Sequence, residues 1–467
     1  MVSTRLGETP VSGENGPAGR ETPLLHRLRK TFVAPLLIAS LIVPNVAFGA
    51  EQSLIRDAEI EHISRTLATP IFAAAGLDPA AVEIHLVADD RINAFVAGGQ
   101  RVFLNTGLLL AVRDPLEIAG VIAHETGHIS GGHLARTQQA LQAATTQSIL
   151  AFLLGAAAMV GGGGADAGAA VMLGGREMTE RTLLRYTRSQ ESAADQAALT
   201  LLVKAGYSPR GLISFMELMG QQEGLLEARQ DPYVRSHPMC PDRASALRER
   251  AGTAEGRPLP AEIVNGFPRM QAKILGFTQP LGAVLRKYPL TDTSVPARYA
   301  RAIASHRLGR LDEALREMDA VIALDDKDVY ALELRGQILL EHGRVIDAVD
   351  LYGRATALAP SQPLIRIGYA TALIATNDAA RVPAAIDALR TALDQERSNG
   401  DAWRLLAEAF ARAGDIGQAS LASAEQHMLA GNAKEAQRFA EQALRRLDSG
   451  SPAWLRAQDI KRSAENG

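Results

Sequence analysis

Three histidines lie close together in the segment VIAHETGHISGGHLAR, residues 121–136: His124, His128 and His133. His124 and His128 are four residues apart, which on an α-helix is a rotation of about 40° and one turn of rise. Both imidazoles therefore project from one face, where two ring nitrogens can bind one ion. Glu125 follows the first histidine, where its carboxylate can reach a metal-bound water. This is the His-Glu-x-x-His pattern of zinc peptidases, and it predicts Glu125 as the general base.

The third protein ligand is less obvious from this segment. One large group of zinc peptidases reads His-Glu-x-x-His-x-x-Gly-x-x-His, and Gly131 matches its glycine. The register is off by one residue, however, because position 134 is Leu134 and the histidine is His133. If the helix continues, His133 also lies about 180° from His124, on the far face. His133 is therefore the weaker candidate for the third ligand.

A stronger candidate lies in RSQESAADQAALTLL, residues 188–202. Glu191 and Asp195 are four residues apart and share a helix face, and the alanines around them permit close packing against another helix. We predict that Glu191 is the third ligand and that Asp195 hydrogen-bonds the free nitrogen of a ligand histidine. The alternative is an exposed acidic helix face. Two histidines and one glutamate would bind one Zn²⁺ per chain and leave its fourth position for water.

The segment SHPMCPDR, residues 236–243, offers further groups for catalysis. His237 precedes a proline, which favours an extended backbone, and Arg243 carries a permanent positive charge. Either side chain could face the oxyanion of the reaction. His237 could instead occupy the fourth zinc position and keep the enzyme latent, or it could be an ordinary loop histidine.

Helices and a small sheet are predicted around these residues, in one mixed domain over 50–250. Segments 82–90 and 93–109 look like a short hairpin that turns at Gly98-Gly99. Proline at a helix start and glycine at a helix end mark the helix boundaries. The predicted helices cover Ser53–Ala75, Pro115 through His124, and Met178–Ala205, the last one ending at Gly206.

The stretch 137–165 contains no charged residue, and its apolar part covers 149–160. Twelve apolar residues are too few to span a bilayer, which takes about 20. The stretch is either a buried helix with a flexible glycine-rich loop, or a mobile lid or membrane-surface flap over the site. The second reading includes a peripheral membrane contact.

The N-terminus has the order of a secretory signal peptide. Basic residues 26–30 precede an apolar run over 31–43, and Ala47-Phe48-Gly49 offers a cleavage site after Gly49. The alternative is an uncleaved N-terminal anchor. Export would permit disulfides, but Cys240 is the one cysteine in the chain, so no intramolecular disulfide forms.

The second half of the chain contains a 34-residue repeat, which follows a predicted linker over 251–295. Gly309-Arg310-Leu311-Asp312-Glu313-Ala314 recurs as Gly343-Arg344-Val345-Ile346-Asp347-Ala348. This period resembles tetratricopeptide repeats, which are stacked helix pairs with a concave binding surface. Three to four repeats fit over 296–467, with an insertion near Ala379–Pro383. An ordinary alanine-rich helical bundle is the alternative.

The motifs HETGH, ESAAD and SHP, preceded by NAFVAGGQRVFLNTGLL, together resemble the zinc peptidase family that includes the CAAX prenyl protease and the heat-shock membrane protease. The exported branch with C-terminal tetratricopeptide repeats is the most similar, and the resemblance covers nearly all of the exported chain. It implies a gluzincin-type peptidase domain, mainly α with a small β-sheet, followed by an α-solenoid. It implies zinc ligands His124, His128 and Glu191, with Glu125 as base, Asp195 behind the ligands and His237 near the metal. It also implies that an edge strand pairs with extended substrate, matched by Gln100, Arg101, Val102, Phe103, Leu104 and Asn105.

Together with the predicted signal peptide, the resemblance implies a periplasmic zinc endopeptidase for misfolded or misassembled envelope and outer-membrane proteins. The repeats would recruit substrate or the barrel-assembly machinery. The alternative is a chaperone or adaptor for outer-membrane protein assembly, with a protease site that is normally latent. The formal net charge of −3 gives no indication of a nucleic-acid partner.

Overall fold

The computed structural model of the chain describes residues 54–133, 135–136, 139, 188–221, 231–237 and 241–466. These residues belong to one compact unit, Gln52–Gly467. The predicted signal peptide lies outside the described residues, as does almost all of the uncharged stretch 137–165. In the described part of the chain, no helix combines the length and the hydrophobicity that a membrane span requires.

A four-stranded sheet forms the small β part of the fold. Its strands are β1 (Leu54–Ile55), β2 (Glu83–Val87), β3 (Ala94–Ala97) and β4 (Arg101–Asn105). The spatial order is β1-β2-β4-β3, with β2 and β4 parallel and the other two pairs antiparallel. β3 and β4 form a hairpin with the predicted turn, because Gly98 and Gly99 turn the chain with φ of 57° and 98°. Segment 82–90, predicted as part of this hairpin, instead provides β2, which is parallel to β4.

The prediction that Gln100–Asn105 forms the sheet edge is wrong. β4 lies between β2 and β3, so both of its sides are paired. The alternating pattern of residues 101–105 fits a central strand as well as an edge strand, and the parallel partner β2 comes earlier in the chain. β3 lies next to β4 at the end of the strand order. Among the described strands it pairs only with β4, so its other side is free.

Helices pack against one face of this sheet and bury it. The helix that carries His124 begins at Pro115, where the side chain of Asp114 accepts a hydrogen bond from the backbone N–H of Leu116, and it ends at Ser130. The second predicted helix is described from residue 188 to residue 205, and Gly206 with φ of 82° follows its end. The helices are α1 (Ala58–Ala74), α2 (Thr106–Ala111), α3 (Pro115–Ser130), α4 (188–205), α5 (Arg210–Gly220), α6 (Pro232–Ser236) and α7 (Pro241–Ala251).

Two glycines on α3 allow its neighbours to approach closely. A Cβ at Gly120 would lie 2.6 Å from Cα of Leu212 on α5, and a Cβ at Gly127 would lie 2.9 Å from the backbone oxygen of Ala194 on α4. Gly127 lies between the two histidines of the HETGH motif. Its missing side chain therefore lets the backbone of α4, the helix of Glu191 and Asp195, lie against the turn of α3 that carries the two histidines.

The segment predicted as a linker contains two helices, α8 (Ala261–Thr278) and α9 (Leu281–Lys287). α8 packs against α1 and against the first helix of the repeats, and it buries Lys273 and Met270 among other residues. Pro260 and Pro280 immediately precede the two helices, where a missing backbone N–H costs nothing.

The repeat part consists of five helix pairs, whereas the sequence predicts three to four. The third pair turns at Asn377, a non-glycine residue with φ of 54°, so it lacks the glycine on which the repeat was recognised. A short 3₁₀ turn at Ala379–Arg381 marks the predicted insertion. The helices are α10 (Val295–Arg307), α11 (Leu311–Ile322), α12 (Val329–Glu341), α13 (Val345–Leu358), α14 (Pro363–Ala375), α15 (Val382–Gln395), α16 (Gly400–Arg412), α17 (Ile416–Leu429), α18 (Ala433–Leu444) and α19 (Pro452–Asn466).

Candidate metal centre

Four side chains from three parts of the chain converge at one buried point. His124 and His128 come from α3, Glu191 from α4, and His237 from the segment after α6. One potential ligand atom of each residue lies within 4.8 Å of the others. His124 is fully buried, and Glu191 and His237 are 3% and 6% exposed. The three ligands predicted from the sequence are therefore brought together, and His237 joins them.

The distances among these atoms fit a tetrahedral ion. Two ligand atoms bound at ~2.0–2.1 Å to a tetrahedral zinc ion lie roughly 3.3 Å apart. His124 Nε2 lies 3.1 Å from His128 Nε2, 3.3 Å from His237 Nδ1 and 3.4 Å from Glu191 Oε2. Glu191 Oε1 lies 3.4 Å from His128 Nε2, and Glu191 Oε2 lies 3.1 Å from His237 Nδ1. The donor set thus has the dimensions of a four-coordinate metal site.

The second nitrogen of His124 faces a carboxylate. Nδ1 lies 3.0 Å from Oδ1 of Asp195, where a protonated Nδ1 can donate a hydrogen bond. This tautomer leaves a lone pair on Nε2, directed at the other donors. Burial lowers the pKa of His124, but hydrogen bonds to Asp195 and Glu191 outweigh it and raise the pKa to about 9. Asp195 therefore contacts the second ring nitrogen of His124, which the sequence predicts as a metal ligand.

Glu125 lies beside the four donors and takes no part in the tetrahedron. Its side chain is 1% exposed, and Oε1 lies 3.4 Å from Nε2 of His237. Burial raises the pKa of Glu125 above its usual range, while His237 and His124 oppose the rise. A buried carboxylate with a raised pKa is a suitable proton acceptor for general-base catalysis.

His237 is held in the cluster by its neighbours. Its ring lies 4.6 Å from the ring of Tyr233, measured between centroids, and the backbone N–H of Tyr233 donates to the carbonyl of Ile92. Asp231 accepts a hydrogen bond from the N–H of the same Ile92. The segment that carries His237 is thereby attached to Ile92, two residues before strand β3. Of the alternatives for His237, this geometry favours the fourth metal position.

The guanidinium group of Arg243 contacts the carboxylates of Asp195 and Glu191. It does not point to a place where an oxyanion could bind. Nε and one terminal nitrogen donate to Asp195 at 2.8 and 2.9 Å, and the same terminal nitrogen lies 3.1 Å from Glu191 Oε2. The other terminal nitrogen donates to the carbonyl of His237 at 3.4 Å. All three guanidinium nitrogens thus have protein acceptors, which favours a role in orienting the carboxylates over the predicted alternative of an oxyanion donor.

His133 lies outside the four-residue cluster but touches it. Its Nδ1 lies 3.0 Å from Nδ1 of His128, on the side of that ring away from His124. Helix α3 ends before His133, so the far-face position expected for a continuous helix does not apply. The sequence signal for this fold-back is the pair Gly131-Gly132, which follows the last helical residue.

The profile of peptidase family M48 matches residues 55–251, which include every residue of this cluster. Residues 55–251 form a peptidase family M48 domain. M48 peptidases are metal-dependent, and the chain is accordingly a metalloendopeptidase. The M48 domain contains both helices that carry the predicted ligands.

The similarity to known proteins extends beyond the M48 domain. A beta-barrel assembly-enhancing protease from Yersinia pestis is 26% identical to this chain over 413 residues, which are 86% of this chain and 82% of that protein. A protein of the same name from Escherichia coli strain K12 is 23% identical over 405 residues, which are 85% of this chain and 81% of the relative. Matches of this length extend beyond residues 55–251 into the repeat part of the chain.

Among solved structures, a crystal structure of MamA is 19% identical to this chain, with a TM-score of 0.28. The match covers 35% of this chain and 92% of MamA. A TM-score this low supports no conclusion about function. The repeat architecture rests instead on the five helix pairs themselves, which are stacked in chain order.

Proposed function

We propose that this chain is a periplasmic zinc endopeptidase that hydrolyses peptide bonds of misfolded or misassembled envelope and outer-membrane proteins. The observation that carries the catalytic part is the convergence of His124, His128 and Glu191, three potential metal ligands, beside the buried Glu125. The substrate class and the location rest on the names of the similar proteins and on the predicted signal peptide.

Zinc is the metal that best suits the donors. Imidazole and carboxylate ligands in a closed tetrahedral arrangement are typical of Zn²⁺. When bound, zinc would polarise the substrate carbonyl and acidify a water molecule. Glu125 would accept the proton of the attacking water and deliver it to the leaving amine. Asp195 and Arg243 would keep the ligand side chains oriented.

The free side of β3 is the proposed binding edge for extended substrate. β3 packs against α3, which carries the metal ligands, and it pairs only with β4 among the described strands. An extended peptide added to this side would make backbone hydrogen bonds that do not depend on its sequence. A misfolded protein offers such extended segments, which agrees with the proposed substrate class.

The repeats would recruit substrate or the barrel-assembly machinery. Solenoids of stacked helix pairs present extended concave surfaces, and the names of the similar proteins refer to β-barrel assembly. A division of the chain at 250 and 296 into peptidase, connecting and repeat parts remains a prediction.

A second candidate function is supported by the position of His237. Its Nδ1 lies 3.1 Å from Glu191 and 3.3 Å from His124, which puts it at the fourth corner of the metal site. A zinc ion held by four side chains has no position for water. The chain would then act mainly as a chaperone or adaptor for outer-membrane protein assembly, and displacement of His237 would switch the protease on.

Cleavage assays on four forms of the zinc-loaded chain from residue 50 onward test these proposals. The forms are wild type, Glu125→Gln, His237→Ala and the double variant, each with an unfolded outer-membrane barrel protein. We expect His237→Ala to cut faster than wild type, and Glu125→Gln to lower the rate by about 10²–10⁴ in either background. Equal zinc content in all forms is the control. Cleavage that survives Glu125→Gln would refute the peptidase proposal, and binding without cleavage by any form would favour the adaptor.

A further inference from the structure

The histidine that follows α3 has a defined place beside one ligand. We propose that His133 is a positioning residue that accepts a hydrogen bond from Nδ1–H of His128 and thereby directs Nε2 of His128 to the metal. This inference rests on the proposed zinc site. It assigns to His133 a role other than that of a third ligand.

The two nitrogens of His128 face different partners. Nε2 lies on the metal side, 3.1 Å from His124 Nε2 and 3.4 Å from Glu191 Oε1. Nδ1 lies on the other side, 3.0 Å from Nδ1 of His133. An imidazole that binds a metal through Nε2 carries its proton on Nδ1, where it acts as a donor. The neighbouring Nδ1 of His133 must then be the acceptor, so His133 is neutral and carries its own proton on Nε2.

This contact completes a symmetrical arrangement around the two ligand histidines. His124 has the carboxylate of Asp195 at 3.0 Å from its Nδ1, and His128 has the imidazole of His133 at the same distance. Groups that fix the tautomer and ring orientation of a ligand histidine typically change metal affinity 10–100-fold when removed. Without His133, the Nδ1–H of His128 would lose this acceptor, and its ring would lose a directional restraint.

The local sequence makes this position of His133 available. A Cβ at Gly131 would lie 2.5 Å from Nε2 of His133, and Gly132 has φ of 62°, which favours glycine. The two glycines thus end α3 and let the ring fold back over its last turn. The side-chain amide of Gln190 donates to the carbonyl of His133 at 3.4 Å, next to the ligand Glu191. The backbone of His133 is therefore attached to α4 as well.

Two substitutions separate hydrogen bonding from packing. In His133→Asn, the side-chain oxygen occupies about the place of Nδ1 and still accepts a hydrogen bond. In His133→Leu, a side chain of similar size has no acceptor. The measurement is the zinc dissociation constant of the whole chain, by competition with a chromophoric chelator, together with the unfolding temperature of the metal-free proteins.

We expect His133→Leu to raise the zinc dissociation constant about 10–100-fold and His133→Asn to change it less than threefold. The metal-free forms of the two variants should unfold at similar temperatures. Equal weakening of zinc binding in both variants, or no weakening in either, would overturn the inference. If His133→Leu does not fold, His133→Met, which fills the space without a strong acceptor, replaces it with the same expected outcome.

Wild-type binding is measured first, because it distinguishes two kinds of failure. If the wild-type chain binds no zinc, the proposed function and this inference both fail. If wild type binds zinc and the His133 variants have the same zinc dissociation constant, only the role of His133 is refuted.

Discussion

At the scale of single residues, the site concentrates negative charge in a buried place. Glu125, Glu191 and Asp195 are all at most 4% exposed, and Arg243 is the cation that contacts two of them. Buried carboxylates are costly unless opposite charges or hydrogen bonds compensate for them. Arg243 together with a divalent ion would neutralise the three carboxylates. The charge balance and the geometry of the donor atoms therefore both indicate a divalent metal ion at this site.

Arg243→Met tests whether the arginine orients the carboxylates. We expect it to weaken zinc binding at least about 10-fold and to lower the free energy of unfolding of the metal-free chain by roughly 3–5 kcal/mol, because two buried carboxylates lose their cation. Chelator competition and chemical denaturation measure the two effects. The matched control is Arg248→Met on the same helix α7, whose exposed pair with Glu217 contributes about 0–1 kcal/mol. A slower turnover with unchanged zinc affinity would instead identify Arg243 as an oxyanion donor.

At the scale of secondary-structure elements, the hydrogen-bond pattern of β3 decides which backbone groups are free. The N–H of Asn105 donates to the carbonyl of Asn93, so this pair is hydrogen-bonded. Hydrogen-bonded and non-hydrogen-bonded pairs alternate in an antiparallel ladder. The backbone N–H and C=O of Phe95, which lies opposite Phe103, therefore point toward β4. The backbone N–H and C=O of Val96 point to the free side of β3.

Val96→Pro removes one outward N–H without removing a hydrogen bond between β3 and β4. We expect kcat/KM for an unfolded protein substrate to fall at least about 10-fold relative to Val96→Ala, which loses most of the same side chain but keeps the N–H. The comparison is made in the His237→Ala background, where the site is expected to be open. If the proline and alanine variants cut equally fast, substrate does not pair with β3.

At the scale of the whole molecule, a buried ion cluster joins the M48 domain to the repeats. Lys273 on α8 is 1% exposed and lies 2.7 Å from Asp57, 3.6 Å from Glu59 and 3.8 Å from Glu333. Asp57 and Glu59 belong to the start of α1, and Glu333 belongs to α12 in the second helix pair. Contacts of this kind fix the repeats against the peptidase part through charges that are shielded from water.

This cluster makes the stability of the chain depend on pH. Burial raises the pKa of Glu333 to about 7, with Lys273 opposing and the carboxylates of Asp57 and Glu59 adding to the rise. An unfolded glutamate has an ordinary pKa of 4.5, so between these values the folded chain binds more protons than the unfolded chain. The contribution of Glu333 to the free energy of unfolding is therefore fully present below pH 4.5 and is lost as the pH rises through 7.

Glu333→Gln should remove this dependence, since glutamine resembles the protonated carboxyl. We expect the variant to gain stability relative to wild type as the pH rises from 5 to 8, by on the order of 1–3 kcal/mol at pH 8. Denaturation of both proteins across this range measures the difference. Glu249→Gln, at an exposed position, is the control and should show no trend. A difference that stays constant with pH would contradict the raised pKa of Glu333.

The sequence by itself determined the parts of the molecule that depend on local spacing. The pair His124 and His128 and the pair Glu191 and Asp195 follow from helical periodicity, because residues four apart share a face whatever the helix packs against. Glu125 as the predicted base follows from the His-Glu-x-x-His pattern. The boundaries of α3 and the hairpin at Gly98-Gly99 follow from capping and turn chemistry. The 34-residue period likewise indicates stacked helix pairs, although it predicts three to four repeats where the structure has five pairs.

Only the tertiary structure decided which residues meet across long sequence separations. The parallel pairing of β2 with β4 placed β4 in the centre of the sheet and left β3 with an unpaired side among the described strands. The end of α3 at Ser130 and the glycines after it turned His133 back onto His128. The packing of α4 against Gly127 left Arg243 facing Glu191 and Asp195. Such contacts depend on where separate elements come to lie, and periodicity within one element carries no information about that.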